Sequence, residues 1–254
     1  MAFENNILLI ILTFLVSLSV SVLSGVSGGG GGFIMTPYLI FIGMSPAQSI
    51  ATGKFGAIGS TLGSLTAFKG KGLVHKNIAY ALTIITIIVS VIGALLIPQI
   101  NPTLFQIVIG ILLIVMIPTL FIKFKTPHYT TFGKKRMGIL YSVYAIIAFL
   151  QATLASGIAT FINLLFIYGF GLRPLEANAT KRVVQSIQAV VVGLLTALQG
   201  LVYFWYAIAS IIGASIGSFV GSKLAIKGGD KVVTFGLAVF MLGSGIYLIA
   251  TSIR

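Results

Sequence analysis

Long apolar stretches recur along the whole chain and constrain its fold more than any other feature. Each is close to the ~20 residues that a helix needs to cross the hydrocarbon core of a bilayer. Of the 254 residues, 57% are hydrophobic and only 7% are charged, whereas soluble domains carry about 25% charged residues. The sequence therefore predicts an all-α polytopic membrane protein embedded in a lipid bilayer. The stretches are 7–26, 50–68, 77–98, 103–122, 137–155, 183–199, 202–222 and 232–251.

Two further apolar runs, 33–42 and 158–170, are about half as long. They are too short to span the membrane comfortably, so they are predicted to be half-helices or re-entrant segments. Each short run directly follows a long stretch. The long stretch and the short run together would form one interrupted helical hairpin. Whether these hairpins are re-entrant or cross fully stays open at this point.

Basic residues predict the orientation in the membrane. The net charge is +13, but the cations lie in short gaps between apolar runs, which is typical of membrane topology and not of nucleic-acid binding. Placing these gaps in the cytosol predicts a multi-pass protein of the cytoplasmic membrane with both termini outside. The gaps hold Lys69, Lys71 and Lys76; Lys123, Lys125, Lys134, Lys135 and Arg136; Arg173, Lys181 and Arg182; and Lys223, Lys227 and Lys231.

Acids and metal ligands are scarce. The chain has three carboxylates, Glu4, Glu176 and Asp230, no cysteine, and two histidines in loop-like segments. This composition disfavours hydrolytic and metal-dependent chemistry, so neither an enzyme nor a metal or cofactor site is predicted. A cation carrier is disfavoured as well, because the spans lack acids that would bind a cation.

A repeat appears when the chain is aligned with itself at one fixed shift, called here the repeat offset, which sets Gly29 against Gly157. It divides the chain into an N-terminal membrane repeat (1–122), a basic cytosolic linker (123–136) and a C-terminal membrane repeat (137–254). Each half holds one interrupted hairpin and three spans, an odd number of crossings, so the second half is predicted to be inverted relative to the first. The other matched pairs are Gly43 with Gly171, Pro46 with Pro174, Thr52 with Thr180 and Lys54 with Arg182.

A run of glycines interrupts the first hairpin and is the first candidate site. Each glycine destabilises a helix by about 1 kcal/mol relative to Ala, and their N–H groups can form an anion-binding nest at the positive end of the following half-helix. Close helix packing is the alternative use of these glycines. The residues are Ser27, Gly28, Gly29, Gly30, Gly31 and Gly32, with Ser156 and Gly157 at the corresponding break in the second half.

Two matched cations form the second candidate site. Lys54 and Arg182 each lie about 10 Å along a helix that begins near a proline, where inverted symmetry would bring both to the membrane centre. Snorkelling to the headgroups is the alternative. Neutral polar residues near the cations could donate hydrogen bonds to an oxyanion or link helices; they are Thr52, Asn178, Thr180, Gln185 and Gln188. Glu176 could relay a proton or form a loop ion pair.

The segments SGGGGGFIMTP and GMSPAQSIATGK resemble the glycine-rich block of the sulfite exporter TauE/SafE family, and the resemblance covers essentially the whole chain. It implies a carrier of sulfite, sulfoacetate, sulfonates or related sulfur anions. The second copy departs from the pattern, because the glycine cluster is lost and Leu165 replaces the proline matched by Pro37. The second hairpin is therefore expected to use side chains, namely Ser156, Thr160 and Asn163.

A secondary carrier of small sulfur anions is the leading functional hypothesis. An anion-selective channel and a carrier for another small anion are the alternatives, and saturable, counter-transport-sensitive flux would separate a carrier from a channel. The sequence leaves the coupling ion, the direction of transport and the oligomeric state open, a homodimer included.

Overall fold

The computed structural model describes residues 6–28, 32–99, 133–153 and 158–252. All regular secondary structure in these ranges is helical, as the sequence predicts. The helices are α1 Ile7–Ser27, α2 Gly32–Phe41, α3 Pro46–Phe68, α4 Lys76–Leu96 followed by the 3₁₀ turn Ile97–Gln99, α5 Lys134–Thr153, α6 Ala159–Leu164 followed by the π-helical turn Leu165–Gly169, α7 Pro174–Leu198 and α8 Phe204–Ser252.

Five of the described helices are long and apolar enough to cross a membrane: Ile7–Ser27, Lys76–Gln99, Lys135–Thr153, Pro174–Leu198 and Phe204–Val233. They confirm the predicted membrane-embedded, multi-helix architecture. The 23-residue α3 is richer in Gly, Ser and Thr, and it packs between α7 and α8 in the interior of the bundle. The predicted stretch 103–122 lies outside the described residues, as does most of the linker 123–136, so the division into two halves stays a prediction.

The two short apolar runs form two short helical segments. α2 has 10 residues and contains Pro37. α6 has only 6 residues and continues into a π-helical turn. Their short lengths confirm the predicted half-helices, because a helix rises only about 1.5 Å per residue and neither could cross the hydrocarbon core.

The last helix contains a break that the sequence pattern anticipates. Gly229 has φ 65° and ψ −160°, a conformation that favours glycine because it lacks a Cβ. The stretches 202–222 and 232–251 are therefore two helical segments joined at this glycine.

Helix starts recur at the spacing of the sequence repeat. α3 begins at Pro46 and α7 at Pro174, while α4 begins at Lys76 and α8 at Phe204. Each pair is separated by the repeat offset found in the sequence. Proline suits the first helical turn, where its missing N–H is not needed, so the repeated prolines explain two of these starts.

The capping residues of α3 and α7 follow the same spacing. Ser45 and Gln48 form a reciprocal capping box at the start of α3, with Ser45 N–H donating to Gln48 Oε1 at 3.0 Å. At the start of α7, Arg173 N–H donates to Glu176 Oε2 at 3.2 Å. Glutamine and glutamate thus play the same part in the two halves.

α4 and α5 run in the same direction along the bundle. Thr86 lies 2.6 Å from the Tyr144 hydroxyl, and further along both helices Gly93 lies against Ala152. Because both residue numbers rise together along the contact, the two helices are parallel. Tyr144 and Phe166 extend this contact into the main buried apolar cluster.

α1 and α8 also run parallel, and glycines let their backbones approach closely. A Cβ atom at any of three α8 glycines would overlap the α1 backbone, which makes this a small-residue interface of the kind that stabilises membrane helices. The pairs in order are Gly213 with Phe14, Gly217 with Leu18 and Gly221 with Val22.

Contacts between loops collect the basic segments at one end of the bundle, here called the basic end. His75, which precedes α4, lies 3.4 Å from Glu176 in the first turn of α7. Arg173 pairs with Asp230 at 2.9 Å, next to the break in α8. Since α5 is parallel to α4, its basic start lies at the same end. α1, α3 and α8 begin at the opposite end, where Gln199 donates to the Ala94 carbonyl of α4.

Candidate functional site

A small cavity of about 80 Å³ lies inside the bundle, with walls from α1, α2, α3, α5, α7 and α8 that include many polar residues. One water needs about 10–15 Å³ of such space, so the cavity has room for a few waters or one compact oxyanion. Lys54 and Arg182 both line it, as do Gln185 and Gln188. The sequence hypothesis that the two matched cations meet at one place therefore agrees with their positions.

Lys54 is held by a carbonyl at the end of another helix. It lies in the interior of α3, with 4% of its surface exposed, and its Nζ donates to the backbone carbonyl of Gln151. Gln151 is in the last turn of α5, whose carbonyls lack intrahelical partners and carry the negative end of the helix dipole. The ammonium thus offsets the partial charge of a helix C-terminus.

Arg182 has the matching arrangement in the second half. It is 3% exposed, and its Nη2 donates to the Ser24 carbonyl and, at 3.1 Å, to Ser24 Oγ. Its Nη1 donates to Ser60 Oγ at 3.3 Å. Ser24 is in the last turn of α1. The guanidinium Nε has no hydrogen-bond partner among the described residues, which leaves one charged donor group unused there.

The two cations are therefore bound crosswise between the halves. Lys54 of α3 binds the end of α5, and Arg182 of α7 binds the end of α1. Each lies at the same depth in its own helix, about 12 Å from the helix start. None of the described residues that line the cavity is an acid. A lysine and an arginine thus face this space, and within the described ranges their donors bind helix ends and hydroxyls.

Neutral polar groups complete the walls. Gln188 Nε2 donates to the Ala148 carbonyl at 3.0 Å. Gln151 Oε1 and Ser210 Oγ are buried without a hydrogen-bond partner in the part of the chain that the structure describes. Ser210 can donate its hydroxyl proton, so the cavity offers neutral donors beside the charged ones.

Several of these wall residues are absent from the sequence-based set. The signal that could have found three of them is a row of serines at positions 17, 21 and 24, spaced four and three residues apart along α1. That spacing puts them on one face of a helix. Ser60 and Ser210 give no such signal, because α3 and α8 carry other serines as well and only the packing selects these two for the cavity wall.

The glycine run marks a true helix break. α1 ends at Ser27, and Gly28 follows in the left-handed conformation with φ 64°, a common helix C-cap. Gly32 begins α2. Gly29, Gly30 and Gly31 lie outside the described residues, as do Ser156 and Gly157. The helix break is thus as predicted, while the anion-binding nest stays a prediction.

Asn178 and Asn163 cap the end of α1 from the other half of the chain. Asn178 Nδ2 donates to the Gly25 carbonyl at 3.1 Å, and Asn163 Nδ2 donates to the Ser27 carbonyl at 3.1 Å. Ser27 Oγ donates to the Leu23 carbonyl within its own helix. Ser27 and Asn178 thus lie beside the helix break and outside the cavity wall. The Oδ1 atoms of both asparagines are buried with no partner in the described ranges.

Thr52 and Thr180 are both fully buried and bind loops, away from the cavity wall. Thr52 Oγ1 accepts from Tyr203 N–H at 3.1 Å, and Thr180 Oγ1 accepts from His75 N–H at 3.0 Å. The two donors are also related by the repeat offset. Each hydrogen bond therefore joins the two halves, one at each end of the bundle.

Two further charged residues, Lys181 and Glu176, lie away from the cavity wall. Lys181 is completely buried and its Nζ donates to the Ala159 carbonyl at 3.3 Å, so neither it nor Arg182 snorkels to the bundle surface. Glu176 lies at the basic end, where it pairs with His75. It is far along the bundle from the cavity wall and contacts the residue that precedes α4.

The family of the chain follows from its similarity to known proteins. The profile described as "Sulfite exporter TauE/SafE" matches residues 13–248, which is nearly the whole chain. The chain belongs to this family of membrane transporters. The match agrees with the glycine-rich block recognised in the sequence.

Curated relatives point the same way. The chain is 24% identical over 207 residues to the "Probable membrane transporter protein YfcA" of Escherichia coli strain K12, covering 81% of this chain and 77% of the relative. It is also 24% identical over 211 residues to a "Probable membrane transporter protein" of Haemophilus influenzae, covering 81% of each. No solved structure matches the chain.

Proposed function

We propose that this family member is a secondary transporter of small sulfur-containing anions such as sulfite, sulfoacetate or related organosulfonates. The observation that carries the proposal is the cavity that two buried cations share, with no acid among the described residues of its wall. Burying a charge is expensive unless it is paired, so an anion that enters this space gains both cations as partners. The family description supplies the sulfur chemistry.

Substrate binding is proposed to replace the internal partners of the cations. Lys54 and Arg182 donate to carbonyls at the ends of α5 and α1. An oxyanion would compete for the same donors and recruit the Nε of Arg182 and the hydroxyl of Ser210. Gln185, which also lines the cavity, would donate a further hydrogen bond.

The backbone glycines are proposed to contribute from the side of the helix break. Gly28, Gly29, Gly30 and Gly31 precede α2 in the sequence and Gly32 is its first residue. The N-terminus of a helix attracts anions through its unpaired N–H groups and its dipole. Ser156 and Gly157 would act at the corresponding break before α6. These groups would guide the anion toward the cation-lined cavity.

Transport is proposed to depend on two inverted repeats that rock against each other. Helix directions support this idea: α1 and α3 begin at the same end as α8, while α5 and α7 begin at the same end as α4. Corresponding helices of the two halves thus run in opposite directions. The cation pair lies near the middle of the bundle, where such repeats meet.

The basic end is proposed to face the cytosol, in accord with the positive-inside rule. The opposite end would then hold the N-terminus of α1 outside. Single cysteines introduced at Lys71 and Gly200 would test this placement, because the chain has no native cysteine. An impermeant thiol reagent applied to intact cells should label the cysteine at position 200 and leave position 71 unlabelled.

The test of transport uses purified protein in liposomes loaded with sulfite, sulfoacetate or chloride. Lys54→Ala and Arg182→Ala should each reduce sulfur-anion flux at least 10-fold, since hydrogen bonds to charged groups are worth about 1.5–3 kcal/mol. Lys227→Ala, an exposed cation at the basic end, is the matched control. Wild-type flux by both cavity variants would refute the two-cation site.

The same liposomes separate a carrier from a channel. A carrier should show saturable flux that internal substrate accelerates, while a channel should pass anions at a rate that rises linearly with concentration. Equal flux of chloride and sulfite would favour the alternative of a less selective anion pathway.

A further inference from the structure

A second, larger depression lies at the surface of the basic end, separate from the cation-lined cavity. It has a volume of about 700 Å³ and lies where α3 ends, α4 begins and α7 passes behind them. Its walls are mainly apolar, with Leu62, Leu65, Phe68 and Val183 among them. Leu62 is 52% exposed and Tyr80, at its margin, is 71% exposed.

Lysines form the rim of this groove on the side of the membrane surface. Lys69 and Lys76 line it, and Lys71 is exposed in the same turn. Gly70 and Gly72 hold the turn with φ 73° and 67°, and a Cβ at either position would meet no described atom within 4 Å. No described residue therefore fills the space beside these two glycines.

Neither acid in the described part of the chain neutralises these lysines. Glu176 pairs with His75 at 3.4 Å, and Asp230 pairs with Arg173 at 2.9 Å. The groove thus combines mainly apolar walls with two lysines at its rim.

We propose that this groove binds an anionic phospholipid, with an acyl chain along the apolar walls and the phosphate beside Lys69 and Lys76. An anionic phospholipid matches both parts of the groove, because its charged phosphate can lie beside the lysines while its acyl chain lies along the leucines. Basic pockets between membrane helices are suited to anionic headgroups. A zwitterionic lipid can pack against the same apolar walls, but the lysines attract its headgroup less strongly because the headgroup has no net charge.

The corresponding turn at the opposite end lacks this chemistry. Gly200 there has φ 71°, like Gly72 at the matching position of the first half. However, Ala197 and Gln199 occupy the positions of Lys69 and Lys71. The lipid site is therefore confined to one end of the bundle, although the backbone turn is present at both.

The experiment measures lipid retained by protein taken from nanodiscs that contain equal amounts of phosphatidylglycerol and phosphatidylcholine. Native mass spectrometry should show wild-type protein with bound phosphatidylglycerol. The double variant Lys69→Gln/Lys76→Gln should lower that preference roughly 25-fold, about 5-fold for each lysine. Lys227→Gln/Lys231→Gln removes two exposed cations from the same end and should keep the preference.

A second variant tests the apolar part. Leu62→Trp fills the groove from a half-exposed position while keeping both lysines, and it should also lose the lipid. The proposal would be overturned if Lys69→Gln/Lys76→Gln kept the preference for phosphatidylglycerol. It would also be overturned if Lys227→Gln/Lys231→Gln lost that preference to the same extent. A disulfide between two copies of a Leu62→Cys variant in native membranes would overturn it too, because a second copy would then occupy the groove.

Discussion

At the scale of single residues, the main finding is how buried cations are satisfied without acids in the described part of the chain. Lys54 and Arg182 use backbone carbonyls in the last turns of α5 and α1. A carboxylate partner would form a strong ion pair and would compete with an incoming anion. Helix-end carbonyls carry only partial charge, so an anion can displace them.

Arg182→Lys tests the geometry of the guanidinium separately from its charge. Lysine keeps the cation but cannot reach Ser60 and Ser24 at the same time, because its ammonium lacks the fixed fork of arginine. We expect sulfur-anion flux in liposomes to fall about 10-fold, while Arg173→Lys, at a site whose side chain is 74% exposed, leaves flux unchanged. Normal flux in Arg182→Lys would mean that charge alone is sufficient.

Asn178→Leu tests the cap on the end of α1. The change removes the 3.1 Å donor to the Gly25 carbonyl and leaves Ser222 Oγ, at 3.5 Å, as its side-chain donor among the described residues. A hydrogen bond of this kind contributes about 0.5–1.5 kcal/mol. The unfolding midpoint in detergent should therefore fall. Thr66→Ala is the control, since its exposed hydroxyl bonds within its own helix. Equal midpoints for both variants would contradict the capping role.

At the scale of helices, small residues decide which elements touch. α1 meets α8 through glycines whose Cα atoms lie directly against the partner backbone, and Gly59 and Gly63 on α3 meet α8 in the same way. Such close approach gives dispersion contacts and brings polar side chains from three helices within reach of one cavity. The helix interfaces thus position the site.

Gly217→Leu should disrupt this arrangement. A side chain there would overlap the backbone of Leu18, and overpacking of this kind destabilises by typically about 1–3 kcal/mol or separates the helices. Gly138→Leu on α5 is the matched control, because no described atom lies within 4 Å of an added Cβ. We expect aggregation or a lower unfolding midpoint only for Gly217→Leu, measured by size-exclusion chromatography and thermal unfolding. The same midpoint in both variants would show that α1 and α8 can separate at little cost.

At the scale of the whole molecule, two hydrogen bonds join the halves at opposite ends. Thr52 holds the N–H of Tyr203 at one end, and Thr180 holds the N–H of His75 at the basic end. If the halves rock as proposed, opening toward one side must break one of these bonds and keep the other. A neutral hydrogen bond contributes about 1 kcal/mol, equivalent to about a 5-fold change in population.

Thr52→Val and Thr180→Val should therefore bias the transporter toward opposite sides. A cysteine introduced as Gln185→Cys in the cavity wall reports access to the cavity by its rate of reaction with a thiol reagent. Thr180→Val should raise the labelling rate from the basic end about 5-fold. Thr52→Val should raise the labelling rate from the opposite end by the same factor. The measurement compares labelling rates in right-side-out and inside-out vesicles, with Thr66→Val as control. If Thr52→Val and Thr180→Val gave identical labelling rates from both ends, the two hydrogen bonds would not act as opposite gates.

Much of this architecture could be predicted from the sequence because its causes are local. Stretches of about 20 apolar residues require helices in lipid, the prolines at 46 and 174 set helix starts, and five glycines end a helix. The repeat offset then identifies Lys54 and Arg182 as a pair. These signals are contained in a few neighbouring residues each, so no tertiary information is needed.

The tertiary structure alone decided which polar side chains share the cavity and which partners the cations use. Ser24, Ser60 and Ser210 belong to three helices, and no pattern within one segment can show that they meet. It also assigned Thr52, Thr180 and Asn178 to contacts between the halves and Glu176 to a loop ion pair. The physical reason is that periodicity determines which residues share a helix face, whereas close packing between distant segments determines what that face meets.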